Sequence, residues 1–311
     1  MAYPYLSDLV RELTGLNLPL PLPMFGLLVA TAFVAVTLIF QAELKRLHAA
    51  GLLGPARQRG RDSAGRPVDV PVPPEDLASN LSLTVLFAGF VGARIFSFFE
   101  YPHEFLADPV GAIFSRTGFT YYGGLVLGLV AGILYARWKR IALLPGLDAV
   151  APAIAIGYGI GRLGCQLSGD GDWGTQAVLA AKPAWLPLWL WAETYDHNVV
   201  GIVLPPPGVY PTPLYEFGMA VVTFAILWAL RRHPFRAGWL FALYLVLSGS
   251  ARFLVELIRV NPVFHLFGFT GSQAEFISAA VIAAGLAGLA ITTRRRLPTA
   301  TPAAVDPSRP S

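Results

Sequence analysis

Seven runs of predominantly apolar residues punctuate the chain, at about 22–40, 80–99, 119–136, 145–168, 213–230, 237–258 and 274–293. At ~1.5 Å per residue, a helical run of about 20 residues crosses a hydrocarbon core of about 30 Å. The pattern predicts an all-α, polytopic membrane bundle with seven transmembrane helices. Most connections between the runs are short and polar. Residues 41–79 are basic and rich in Pro and Gly, and read as a mobile insertion. Residues 175–212 carry Trp185, Trp189 and Trp191 in an apolar run too short to cross, which reads as an interfacial segment or as a loop packed on its own aromatics. Residues 1–297 are therefore expected to form one transmembrane domain, followed by a disordered Pro/Thr/Ala-rich tail over 298–311.

Composition agrees with the pattern. Charged residues make up only 14% of the 311 and hydrophobic ones 55%, with a mean hydropathy of +0.56, whereas soluble domains carry about 25% charged residues. The net charge of +4 resolves into topology rather than a nucleic-acid surface. Sixteen Lys and Arg fall in alternate connections on one side of the bundle and four on the other, which predicts the N-terminus outside and the C-terminus in the cytoplasm. Arg11 is accompanied by Asp8 and Glu12, so the first 21 residues lack the positive n-region of a cleaved signal peptide. The single cysteine, Cys165, rules out an internal disulfide.

Glycines recur at four-residue spacing, Gly124, Gly128 and Gly132 in the third run and Gly157 and Gly161 in the fourth, a pattern that lets helix backbones approach closely in lipid.

Three basic residues lie inside the runs: Arg94, Arg162 and Arg252. All three runs start on the cytoplasmic side in this topology, and each arginine lies roughly 21–26 Å up the core. An arginine at such depth costs about 2.5–3.5 kcal/mol on insertion scales, and three at one level point to a buried anion site opening outward. In "SGSARFLVELIR", Arg252, Glu256 and Arg259 fall at i, i+4 and i+7, on one helical face. Tyr122, Tyr215, Glu216 and Asp170 come to the same level. The inner halves of the runs are almost wholly apolar, which disfavours a transport path. An amphiphile with an anionic head, already in the outer leaflet, is the substrate class that fits.

These residues carry a resemblance. "GRLGCQLSGDGDWG" resembles the signature of the prolipoprotein diacylglyceryl transferase family. "GARIFSFFEYPHEFLADP", "YYGGLVLG", "TPLYEFG", "ARFLVELIRVNP" and "GFTGSQ" resemble its other motifs in order and spacing, from about residue 22 to 293. The resemblance implies transfer of the diacylglyceryl group of phosphatidylglycerol to the lipobox cysteine of a preprolipoprotein signal peptide, at the bacterial inner membrane, with no cofactor, no metal and no nucleic acid. It implies that Arg162 and Arg252 hold the phosphate, that Glu256 orients Arg252 or a glycerol hydroxyl, and that Arg94, Tyr215 and Glu216 shape the lipid site, with Arg259, Ser168 and Asp172 beside the substrate. The chain departs from the family pattern at Cys165 and Ser168, where Asn is usual, at Asp170 in place of Glu, at Tyr122 in place of His, at Phe25 in place of Tyr, and at an inserted Asp172. Asp170, Asp172 or Tyr122 then remains as the base for the thiol. The alternative is a paralogue that binds the same anionic phospholipid but serves another acceptor or none.

Overall fold

The computed structural model describes residues 2–294 apart from 18, 20, 21, 62, 64, 116–119, 260, 262, 267 and 268. The expected tail disorder over 298–311 lies outside the described residues. A short surface helix α1 (Leu6–Thr14) precedes α2 (Met24–Ala49), the hairpin β1 (Ala56–Arg61) and β2 (Pro67–Val72), and α3 (Ala78–Glu100). Two short helices, α4 (Pro102–Ala107) and α5 (Pro109–Phe114), lead to α6 (Tyr121–Trp138), α7 (Leu143–Ser168), α8 (Thr212–Leu230) and α9 (Trp239–Glu256). A second hairpin, β3 (Val263–Leu266) with β4 (Phe269–Ser272), delivers the chain to α10 (Gln273–Thr292).

Among the described residues, six helices are long and apolar enough to cross a membrane: α2, α3 with the turn that precedes it, α7, α8, α9 and α10. This makes the chain a multi-pass membrane protein. The third predicted run forms α6, which has 18 residues, begins on two tyrosines and carries Arg137 in its last turn.

The long helices pack as a central group and two pairs. α7 sits at the centre, against α2, α8 and α9, while α3 pairs with α6 and α9 with α10. The glycine spacing does bring α6 onto α3, but the closest approach is one residue off the expected stripe: a Cβ at Gly123 would lie 2.4 Å from the Gly92 carbonyl oxygen. A Cβ at Gly157 would likewise run into the Val36 side chain of α2, whereas Gly161 faces open space.

Residues 41–79 differ from the expected mobile insertion. The amphipathic stretch QAELKRLHA continues α2 nine residues past the apolar run, burying Leu44 and Leu47, and the remainder folds as the β1–β2 hairpin with Ala56 opposite Val72. The segment 175–212 is irregular. Trp191 donates from Nε1 to the Val178 carbonyl at 3.1 Å and packs edge-on against Tyr210, so part of it is a loop resting on its own aromatics.

The end of the bundle expected to face the cytoplasm is less apolar than the sequence pattern implied. Glu43 is buried at the end of α2 and paired with Arg46 at 2.8 Å and Arg231 at 2.9 Å. Asp148 of α7 accepts from the amides of Gly238 and Phe241 at 2.7 and 2.9 Å, capping α9 from a neighbouring helix. Both carboxylates fasten helix ends whose backbone donors or cations need partners once buried.

Candidate functional site

At the other end of the bundle, charged side chains from α7, α8, α9 and the turns beyond them converge. Arg162 lies six residues before the end of α7, Arg252 four before the end of α9 and Glu216 four into α8, so all three sit ~6–9 Å inside the helix ends.

Glu216 is the hub and is only 3% exposed. One carboxylate oxygen accepts from Tyr158 Oη at 2.7 Å and from Arg252 Nη1 at 3.0 Å. The other pairs with Arg162 Nη2, with Arg259 Nη1 3.9 Å away. Tyr158 and Arg162 stand at i and i+4 on α7, with the guanidinium over the ring. Pro211 at the N-cap and Pro213 within the first turn start α8 just ahead of Glu216.

A second carboxylate, Asp172, arrives by a backbone reversal. α7 ends on Gly169 at φ 62°, and Gly171 follows at φ 97°, both in the left-handed region that favours glycine. The chain thereby folds back so that Asp172 meets Arg162 Nη1, and Arg259 Nη2 reaches its other oxygen at 2.8 Å. Thr212 Oγ1 donates to the Asp172 carbonyl at 2.7 Å, and the Asp172 amide donates to Asp170 at 3.2 Å. Burial pushes the Asp172 carboxyl up, but the Arg162 and Arg259 guanidiniums outweigh it and hold the group down to about 2.

The third carboxylate, Glu256, lies 3.1 Å from Arg252 Nη2 and accepts from Ser272 Oγ at 2.7 Å and from Asn261 Nδ2. Three guanidiniums and three carboxylates thus alternate, and the cluster is close to neutral. Among the described residues, Arg162 Nε remains a buried donor with no hydrogen-bond partner.

The sequence-derived residues divide into two groups. Arg162, Arg252, Arg259, Glu216, Glu256 and Asp172 come together. Arg259 does so from a turn beyond α9, not from the helical face expected of it, because the helix ends at Glu256. Asp170 borders the cluster beside Cys165. The others turn elsewhere. Arg94 donates to the carbonyls of Ile113 and Ser115 at 3.2 and 2.8 Å, tying α3 to the end of α5. Tyr215 Oη donates to the Leu190 carbonyl at 2.7 Å and holds α8 against the 175–212 segment. Ser168 Oγ donates back to the Gly164 carbonyl at 2.8 Å, and Tyr122 packs edge-on against Tyr121.

Sequence reasoning missed Tyr158, Asn261 and Ser272. Tyr158 had a signal, a phenol one helical turn before an intramembrane arginine. Ser272 announces itself only as an N-cap, with Glu275 completing its capping box; its bond to Glu256 depends on the β3–β4 hairpin.

Cys165 Sγ and the carboxylates of Asp170 and Asp172 lie within 4.8 Å of one another. Two guanidiniums already occupy Asp172, and their charge opposes a cation there. What the cluster can do is bind an anion: planar guanidinium forks in a water-poor site suit a phosphate and stabilise charge developing on it.

Known proteins agree in chain-wide extent. The family profile described as prolipoprotein diacylglyceryl transferase matches residues 13–291. The chain is 30% identical over 280 residues to the phosphatidylglycerol–prolipoprotein diacylglyceryl transferase of Bordetella avium, covering 89% of this chain and 92% of that one. It is 34% identical to the protein of that name from Xanthomonas oryzae pv. oryzae, over 73% and 77% of the two chains. For the Chromohalobacter salexigens protein of the same name the identity is 32%, over 71% and 76%. With the matched residues spanning every long helix and the whole charged cluster, the chain belongs to the prolipoprotein diacylglyceryl transferase family.

Proposed function

We propose that this chain transfers the diacylglyceryl group of phosphatidylglycerol to the lipobox cysteine thiol of preprolipoproteins, the first step of lipoprotein maturation. It does so at the outer leaflet of the bacterial inner membrane. The observation that carries the reading is the convergence of Arg162, Arg252 and Arg259 at one end of the bundle. Counting α6 as a seventh span puts that end outside and the C-terminus in the cytoplasm, in keeping with the distribution of Lys and Arg.

In the reaction the substrate thiolate attacks the terminal glycerol carbon of the diacylglyceryl group. A carbon–sulfur bond forms, the carbon–oxygen bond to phosphate breaks, and glycerol phosphate leaves with the electron pair. Arg162 and Arg252 hold the phosphate and meet the charge that gathers on it. Glu216 and Glu256 fix the two guanidiniums. The proton of the thiol needs a base, and Asp172, held near 2 by its two arginines, is too weakly basic for that task. Asp170 and Tyr122 remain for it. Arg94, Tyr215 and Ser168 act at one remove, by holding the walls of the lipid site.

Asp172 has a different role. Its side chain is 38% exposed, whereas those of Glu216 and Glu256 are almost wholly covered, so it is the carboxylate that an incoming phosphate displaces from Arg162 and Arg259. Asp172→Asn removes this internal competitor. It is expected to lower KM for phosphatidylglycerol roughly 5-fold, the equivalent of the ~1 kcal/mol that a part-exposed ion pair contributes. An unchanged or raised KM would count against displacement. The sign of the pH effect also follows. A carboxyl depressed from about 3.9 stabilises the fold above that pH and loses its contribution only as pH falls through about 2. A titration of thermal stability from pH 8 to 5 is therefore expected to show no step that Asp172→Asn abolishes.

The decisive assay uses the purified protein, phosphatidylglycerol vesicles and a peptide bearing a lipobox cysteine. Mass spectrometry is expected to find the diacylglyceryl thioether together with released glycerol phosphate. Saturable lipid binding with neither product, across several peptides and with a verified fold, would replace this reading by that of a lipid-binding paralogue.

A further inference from the structure

At the opposite end of the bundle a covered cation faces a groove. Lys139 closes α6 and is 9% exposed, a degree of burial that Lys seldom reaches without a partner. Its ammonium lies 4.0 Å from the centre of the Trp138 ring and 5.9 Å from that of Tyr135. Among the described residues it pairs with no carboxylate. The other covered cations at this end behave differently, since Arg46 and Arg231 both sit on Glu43.

Lys139 lines a groove of about 580 Å³ between α6 and α3, with Asn80, Leu83, Thr84, Phe87 and Trp138. Among the described residues, none that lines it is acidic. Its polarity is graded. Lys139 and Asn80 stand at one end, and the wall then climbs α3 through Leu83 and Thr84, whose Oγ1 donates back to the Asn80 carbonyl at 2.7 Å, to Phe87, which is 68% exposed and ~10 Å beyond Asn80 along the helix. Trp138 forms the opposite lip and is 60% exposed. The lysine is held in place through its backbone: its amide donates to the Tyr135 carbonyl at 2.9 Å, and its carbonyl accepts from Arg57 of the β1–β2 hairpin at 2.8 Å.

We infer that this groove binds an anionic phospholipid of the cytoplasmic leaflet, its phosphate on Lys139 and an acyl chain along Leu83 and Phe87. Charge complementarity selects the head: a covered ammonium, partly compensated by aromatic faces, gains a counter-ion from the phosphate, with Asn80 and Thr84 as further polar contacts. The apolar continuation selects a lipid over a free phosphate. Arg137 and Arg140, both exposed, flank the groove and add to its positive field. The leaflet rests on the topology proposed above; the site itself does not rest on the transferase reading.

The test uses full-length protein in vesicles containing a phosphatidylglycerol or a phosphatidylcholine that carries the same photoreactive acyl chain, with labelled positions mapped by mass spectrometry. Phosphatidylglycerol is expected to label Leu83, Phe87 or Trp138 at least 5-fold more than phosphatidylcholine. Lys139→Ala is expected to abolish that preference and Lys139→Arg to keep it. Asn80→Asp, which offers Lys139 a carboxylate and leaves α3 otherwise unchanged, is expected to abolish it too. Labelling on α7–α9 serves as the internal reference for a folded protein and for the outer site, so loss there alone bears on the proposed transferase and not on this groove. Equal labelling by the two lipids, or a preference that survives both Lys139→Ala and Asn80→Asp, would reduce the groove to ordinary bilayer contact. Suppression by millimolar inorganic phosphate would make it a site for the free anion and overturn the lipid assignment.

Discussion

Arg162→Ala is expected to lower the rate of diacylglyceryl transfer by about 10³-fold or more, the scale on which enzymes lose rate when a preorganised group facing transition-state charge is removed. The protein should still insert, because the change removes a charge partner and little packed volume. Three contacts diverge from this one side chain: Nη2 to Glu216, and Nη1 to Asp172 and to Cys165 Sγ at 3.5 Å. A lysine ammonium has one centre from which to serve them and cannot reproduce the fork. Arg162→Lys is therefore expected to stay on the order of 10²-fold below the parent. Turnover of phosphatidylglycerol with a lipobox peptide, measured beside binding of the same lipid, separates loss of chemistry from loss of binding. A lysine variant at full rate would show that charge alone suffices and that the geometry described here does not matter.

The second large effect is on stability. Glu216→Ala leaves Arg162 and Arg252 facing each other without the carboxylate they share, and strands the Tyr158 hydroxyl. Removing one member of a buried ionic group costs about 3–5 kcal/mol, because the opposite charges stay buried and uncompensated. Glu216 binds side chains of α7 and α9 from α8, so the loss should loosen the contact of all three helices. The expected result is a marked drop in the melting temperature of the detergent-solubilised protein, together with loss of transfer. Glu216→Gln keeps the shape and part of the hydrogen bonding and should fall between. If Glu216→Ala melted like the parent, the cluster would not be what joins the three helices at this end.

Much of the architecture could be read along the chain. Each of the seven apolar runs forms a helix in the fold, and six of these helices are long and apolar enough to cross a membrane, where a segment must satisfy its own backbone and present apolar side chains outward; both demands are local. The hairpin over 56–72 escaped, since β1 is almost wholly polar and, although Val68, Val70 and Val72 alternate along β2, Pro67 and Pro71 speak against a strand there. The site was legible to the extent that an arginine inside an apolar run is conspicuous whatever surrounds it. Asp172, in a glycine-rich stretch, offered no sign that it would sit between two guanidiniums.

Sequence by itself determined the membrane class, the long helices and the position of Arg162 and Arg252 near one end of the bundle. Those properties follow from composition within a single run. Which charge meets which was decided only by tertiary structure. Arg252 finds Glu216 across 36 residues, Tyr158 finds it across 58, and Arg259 finds Asp172 across 87, while Arg94 and Tyr215, equally prominent in the chain, turn to backbone carbonyls nearby. A long polar side chain in a poorly hydrated space takes the nearest partner that satisfies it. How near that partner lies is set by the packing of α7 against α8 and α9 and by the left-handed turn at Gly169.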